Sequence, residues 1–169
     1  MLAVSSQTLS CLDPRTGQPI WEREIPPGAS DAAVHDGEVA VLAGGFVWTF
    51  SLRGGERRNR FELGWARHLL ADEDGPLIAV GPGGAAMRLD GRKRWSIDGA
   101  GGAPAPGLLR RGVLLLQPGP TELYDAADGL LVAQLPEARA AALGADLSCA
   151  LLHEDAVSLH KLATHLSVV

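Results

Sequence analysis

One pattern recurs along the chain at intervals of 35 to 40 residues, and any fold has to accommodate it. The first copy, residues 2–25, reads LAVSSQTLSCLDPRTGQPIWEREI. Apolar residues alternate through LAV and TLSCL, a turn follows at Asp13-Pro14-Arg15-Thr16-Gly17, and PIWEREI resumes the alternation. Related stretches are FSLRGGERRNRFEL (50–63), MRLDGRKRWSI (87–97), ELYDAADGLLVAQL (122–135) and, more weakly, the closing SLHKLATHLSVV. Aligned on the residue before each turn (Leu12, Leu52, Leu89, Tyr124 and His160), they are spaced by 40, 37, 35 and 36 residues. A second signal lies between these turns. Asp36-Gly37, Asp74-Gly75, Arg111-Gly112 and Glu154-Asp155 each precede an apolar run, at spacings of 38, 37 and 43.

Each unit therefore reads as about four short strands joined by tight turns. Four strands in roughly 40 residues is the period of a β-propeller blade, too long for a leucine-rich repeat and without helical spacing. The expectation is an all-β chain, a single domain over 1–169, with about five blades. The first is incomplete, because LAVSS has the pattern of a blade's second strand. A five-bladed ring, a four-bladed ring with leftover strands, and an open arc completed by another polypeptide all fit. Pro136 to Leu143, PEARAAAL, is the one helix-like stretch and reads as a helical turn or as the next strand. In the turn, Asp13 is placed to accept backbone N–H bonds, Thr16 to add a hydroxyl contact, and Gly17 to take positive φ. Trp21, Phe61 and Trp95 are the expected aromatic anchors between neighbouring sheets. At the matching place in the fourth unit stands Ala133.

The run Leu12-Asp13-x-x-Thr16-Gly17-x-x-x-Trp21 resembles the PQQ-like β-propeller repeat. That repeat is found in quinoprotein alcohol dehydrogenases and in outer-membrane assembly lipoproteins of Gram-negative bacteria. Only the first unit carries the whole pattern. The resemblance implies a blade fold and little about ligand, since most proteins bearing the repeat bind no quinone. A quinone enzyme of that family would need a larger ring, calcium ligands and a stacking tryptophan floor.

The rest of the sequence offers no catalytic constellation. Cys11 and Cys149 read as buried free thiols in a chain that shows no secretory leader. His153, His160 and His165 gather near Glu154 and Asp155, but without HExxH or helical His spacing, so no metal is expected. His35 and His68 stand apart. The carboxylates of Asp72-Glu73-Asp74 and Glu154-Asp155 fall where the repeat needs polar turns. Gly81-Pro82-Gly83-Gly84 and Gly99-Ala100-Gly101-Gly102 lack the residues of a P-loop or dinucleotide fingerprint. The serines, Ser5, Ser6, Ser10 and Ser148 among them, lack a nucleophile-elbow context. No enzyme activity and no cofactor are expected.

Charge supplies the one candidate binding surface. The net charge is −5, yet 9 of the 15 basic residues lie between Arg53 and Arg94. Arg57, Arg58 and Arg60 in the second unit, and Arg92, Lys93 and Arg94 in the third, occupy the same place at the turn into the outermost strand. They are the expected site for an anionic partner, an acidic protein segment rather than nucleic acid. The reading is a non-catalytic cytoplasmic scaffold or adaptor of a larger bacterial assembly, with an oligomer or a strand-completing partner open and no membrane segment. The alternatives are a lectin-like small-ligand propeller and a truncated quinoprotein-type enzyme.

Overall fold

The computed structural model describes residues 1–72, 76–89, 95–98, 107–117, 120–144 and 146–161. Every regular element among them is a β-strand, and the strands form five sheets in which each strand pairs with the next in the chain. The first sheet is β1 (Leu2–Val4), β2 (Thr8–Leu12) and β3 (Pro19–Glu24). The second is β4 (Asp31–His35), β5 (Glu38–Ala43), β6 (Phe46–Ser51) and β7 (Arg57–Glu62). The third is β8 (His68–Ala71), β9 (Leu77–Val80), β10 (Ala86–Arg88) and β11 (Ser96–Ile97). The fourth is β12 (Gly107–Arg110), β13 (Val113–Leu116), β14 (Thr121–Asp125) and β15 (Leu131–Leu135). The fifth is β16 (Ala140–Leu143), β17 (Ser148–Leu152) and β18 (Val157–Lys161).

Five sheets of three or four strands match the expected blades, and the first sheet holds the last three strands of the four-strand pattern. Contacts divide the chain into two units, Met1–Leu69 and Leu70–Val169. Two-residue hairpins open the second and fourth sheets. Asp36 and Gly37 take φ of 42° and 70°, Arg111 and Gly112 take 49° and 77°. These are the left-handed values of a type I′ turn, whose twist suits the flanking strands.

Alternation along each strand sends side chains to two different cores. In the first unit, Leu9, Cys11 and Trp21 pack against Val39, Val41, Trp48 and Phe50 of the second sheet. In the second unit, Leu114 and Leu116 meet Ile78 and Val80 of the third sheet. Val113 and Leu115, on the other face of β13, meet Leu143, Cys149 and Leu151 of the fifth. A strand closed on both faces has to be apolar throughout, which is why VLLL does not alternate with polar residues.

The turns before β3, β7 and β15 follow one hydrogen-bond scheme. Asp13 N–H donates to Gln18 O and Gly17 N–H to Asp13 O. Asp125 and Gly129, and Ser51 and Gly55, repeat both bonds. Asp13 Oδ1 accepts from Arg15 N (2.7 Å) and Thr16 N (3.3 Å), as the sequence implies, and Thr16 Oγ1 accepts from Gln18 N (3.3 Å). Ser51 thus stands where Asp13 stands, so the residue before the second turn is Phe50 rather than Leu52. The spacing from Leu12 becomes 38. The same register pairs Thr49 with Asn59 as Cys11 pairs with Trp21. Asn59, not Phe61, therefore occupies the tryptophan place, and its backbone and side-chain N–H groups both donate to the buried Thr49 hydroxyl (3.2 and 3.4 Å). Phe61, two residues on, is only half-buried.

In the fifth sheet the β16–β17 hairpin closes through Gly144 and Leu147, the latter at φ 61°. Glu154-Asp155 lies one hairpin later, in the β17–β18 turn. That misplacement produced the irregular spacing of 43. His160 keeps its alignment with Tyr124, since Ser148 pairs with Lys161 as Val113 pairs with Asp125. The end of PEARAAAL is strand β16. The final LSVV strand lies outside the described residues.

One joint links the first sheet to the second and the third to the fourth. Trp21 Nε1–H donates to Leu52 O (3.0 Å), and its ring lies over Gly55, where an added Cβ would come within 2.8 Å of it. Trp95 repeats this on the fourth sheet, donating to Ala126 O (3.1 Å) and covering Gly129, with a Cβ approach of 2.7 Å. Arginines add to it: Arg23 donates to Gly55 O (2.9 Å) and Gly54 O (2.8 Å), Arg88 to Ala127 O (2.7 Å). Trp21 is buried and Trp95 half-buried.

Gly17 and Gly55 hold the same turn position at the same φ of 70°, but a Cβ on Gly17 meets nothing. Gly17→Ala should cost about 1–2 kcal/mol for the left-handed backbone. Gly55→Ala should cost about 1–3 kcal/mol more, because the indole has to move. In a Trp21→Ala background, itself destabilised by about 3–5 kcal/mol, the difference should vanish. Urea unfolding of the variants measures it, and an equal cost for both glycines in the parent chain would mean the joint contributes nothing.

Candidate functional site

Strand β7 reads RRNRFE and is the most exposed strand of its sheet. Its pairing places Arg60 opposite Trp48 and Arg57 opposite Phe50, with a register shift between them. The shift brings both arginines onto the Trp48 ring. The Arg57 guanidinium carbon lies 5.4 Å from the Trp48 ring centre; that of Arg60 lies 5.6 Å from Trp48 and 5.0 Å from Phe46. The two rings are 5.9 Å apart and tilted by 56°, and Trp48 Nε1–H donates to Ala43 O (3.3 Å). A guanidinium over a ring gains cation–π attraction while keeping N–H edges for carboxylate oxygens. Arg58 is exposed on the same strand. Glu56 sits at its start with a carboxyl held below the usual range by hydrogen bonds to its own backbone and to Ser51, and by Arg58 and Arg23. The structure thus gathers Arg57 and Arg60 around Trp48. Arg92, Lys93 and Arg94 lie outside the described residues.

The histidines divide. His68 Nδ1 lies 3.5 Å from Asp31 Oδ2, which also accepts from Leu69 N (2.9 Å). His153 and His160 both face Ser158: His153 Nε2 is 2.8 Å and His160 Nε2 3.0 Å from its hydroxyl, while His153 Nδ1 is 3.1 Å from Glu137 O. A carbonyl at Nδ1 requires the proton there. In the neutral ring Nε2 of His153 accepts from Ser158, whose oxygen can then accept from His160. Sequence reasoning passed over Ser158, although its alternation with His160 on one strand was visible. Glu154 pairs instead with Arg139. Among the described residues no group of three or more His, Cys, Asp or Glu is placed to hold a metal ion. His165 lies outside them.

A cleft of about 150 Å³ opens among Gly28, Ser30, Gly44, Gly45, Gly64 and Arg67. It is smaller than an ordinary small-molecule site. Arg67 is turned to the Gly64 and Ala66 carbonyls (3.0 and 2.8 Å). Cys11 and Cys149 are free and buried, and burial pushes the Cys149 thiol up.

Tyr124 is buried, and its hydroxyl donates to Glu122 Oε2 (2.7 Å). Burial first, then the Glu122 bond and charge, push its phenol far above the ordinary 10. It is the chain's single tyrosine, so absorbance at alkaline pH reports it alone. The folded protein should show almost no tyrosinate at a pH where the unfolded chain is fully ionised. Because the folded-state value is raised, this contribution to stability is complete below about pH 10 and declines above it. Glu122→Gln should bring the native titration down; a native midpoint near 10 would show the phenol to be solvated.

No protein-family model matches the chain, and no curated sequence matches it significantly. Solved structures do, and they are β-propellers. Hsv2p of Kluyveromyces lactis superposes with a TM-score of 0.74 over 97% of this chain and 58% of that one, at 12% identity. BamB of Moraxella catarrhalis gives 0.60 over 92% and 55%, at 16% identity. The computationally designed Ika4 gives 0.59 over 80% and 92%, at 13% identity. The chain spans a little over half the length of the Hsv2p and BamB structures. At such identities the likeness is one of fold, and the fold is that of a β-propeller.

Proposed function

We propose that this chain is a non-catalytic interaction module built on PQQ-like blades, a cytoplasmic scaffold or adaptor subunit of a larger bacterial assembly. The observation that carries the reading is strand β7. Two guanidinium groups held over Phe46 and Trp48, with exposed Arg58 beside them, form a preorganised cationic surface on an otherwise acidic chain. Ring stacking limits arginine motion, so less entropy is lost when a carboxylate arrives. The partner that suits it is an acidic protein segment. Arg92, Lys93 and Arg94 extend the proposal by sequence alone.

Two measurements test this. A fluorescent Glu-rich peptide should bind with affinity that falls as salt rises, and an endogenous partner should co-purify from the native host. Arg57→Glu, Arg58→Glu and Arg60→Glu together should abolish both. The folding loss should be small, about 0.5–1 kcal/mol per ring contact removed. Unchanged peptide affinity and salt dependence in the triple variant would exclude β7. Recovery of the free chain alone from its host would overturn the scaffold reading.

A further inference from the structure

Strand β7 is the last strand of its sheet, and among the described residues no strand pairs with its outer edge. Backbone groups along a strand turn alternately to one side and to the other. Glu56 O accepts from Ser51 N–H, so Glu56 is turned to β6 and Arg57 away from it. Past the other end, Leu63 N–H donates to Gly45 O, so Leu63 is turned inward and Glu62 and Arg60 outward. The two ends agree because the register shift between Thr49 and Phe50 absorbs one residue. Arg57 and Arg60 therefore present main-chain N–H and C=O groups on one open edge. They are the same two residues whose guanidinium groups lie over Trp48.

The outer strands that follow the same turn elsewhere do not combine these features. In β3, Asp13 N–H donates to Gln18 O and Ile25 N–H to Gln7 O, so Pro19, Glu22 and Glu24 are turned outward. Pro19 stands where Arg57 stands and has no N–H, and Glu22 stands where Arg60 stands. That edge is blunted and acidic. In β15 the two places hold the uncharged Leu131 and Gln134.

An open edge is a template for one more strand. Charge decides which strand β7 accepts. A second copy of β7 would set arginine beside arginine, whereas carboxylates on alternate residues of an incoming strand fall on the arginine face. Glu62 ends the cationic run, so a single Glu-x-Glu step is enough. We infer that the acidic segment binds as an extended strand added to the edge of β7, with main-chain bonds to Arg57 and Arg60 and alternate carboxylates on their guanidinium groups. This rests on β7 being the partner site and adds the conformation in which the segment is held.

The probe is a fluorescent peptide of alternating threonine and glutamate. In an added strand only one of its two sets of N–H groups faces β7. Methylating the amide nitrogens of that set should weaken binding at least about tenfold, and methylating the other set should change it by less than about threefold. Arg57→Pro, which copies Pro19 into the second sheet, should bind the unmodified peptide at least about fivefold more weakly than Arg57→Ala, since both lose the charge and only one loses the N–H. The methylated peptides need no variant and carry the test if Arg57→Pro fails to fold. Saturating peptide should slow amide exchange at Arg57 and Arg60 and leave Glu22 and Glu24 unchanged. Binding that is lost in the Arg57→Glu, Arg58→Glu, Arg60→Glu variant yet is equal for the two methylated peptides overturns strand addition and leaves the cationic surface standing. No binding by the unmodified peptide, or binding that survives the triple variant, overturns both.

Discussion

A tryptophan resting on a glycine of the following sheet is the contact on which the architecture depends. Hydrogen bonds hold strands together within each sheet, but they say nothing about which sheet packs on which. The indole supplies that information. It buries a large apolar area, and its N–H needs an acceptor when buried. The carbonyl entering the next turn is that acceptor for Trp21 and for Trp95. The turn residue beneath the ring has to lack a side chain, so one position satisfies both the left-handed backbone and the close approach. Where Asn59 replaces the indole, the exposed amide pairs inside its own sheet with the buried Thr49 hydroxyl.

The arginines acquire a second meaning from this. Arg23 and Arg88 are joint residues, tied to carbonyls of a neighbouring turn. Arg139 pairs with Glu154, and Arg67 caps its own loop. Arg57 and Arg60 differ, being held by ring faces rather than by carbonyls. A guanidinium bonded to a carbonyl has spent donors that a stacked one retains. Charge density along the sequence does not make this distinction, because it depends on what lies across the strand.

Much of the fold was legible because blades are local. Every sheet is made of consecutive strands, so periodicity, Asp-Gly turns and alternation sufficed to find five of them. The errors came where turn chemistry was conserved in geometry but not in residue type. Ser51 performs the turn of Asp13 without looking like it, and this displaced the second unit by two residues and put Phe61 in the place of Asn59. Leu147 adopts a glycine-like φ, which hid the fifth hairpin and moved attention to Glu154-Asp155. The arginine cluster was visible as charge, whereas its aromatic support depended on a register shift between Thr49 and Phe50. The contacts of Ser158 depend on the fold-back of His153, in a turn, over β18, which no alternation pattern carries.

The joint also has a direction in time. Trp21 is synthesised 34 residues before Gly55, the seat it will occupy. At about 5–20 residues per second on the ribosome, that interval is roughly 2–7 s. Through it the first sheet carries an indole without its acceptor, and the apolar face around Leu9, Cys11 and Trp21 has nothing to pack against. The first sheet is therefore completed by the second, and the third by the fourth. A nascent chain would seat Trp21, and later Trp95, only once the following turn has been made.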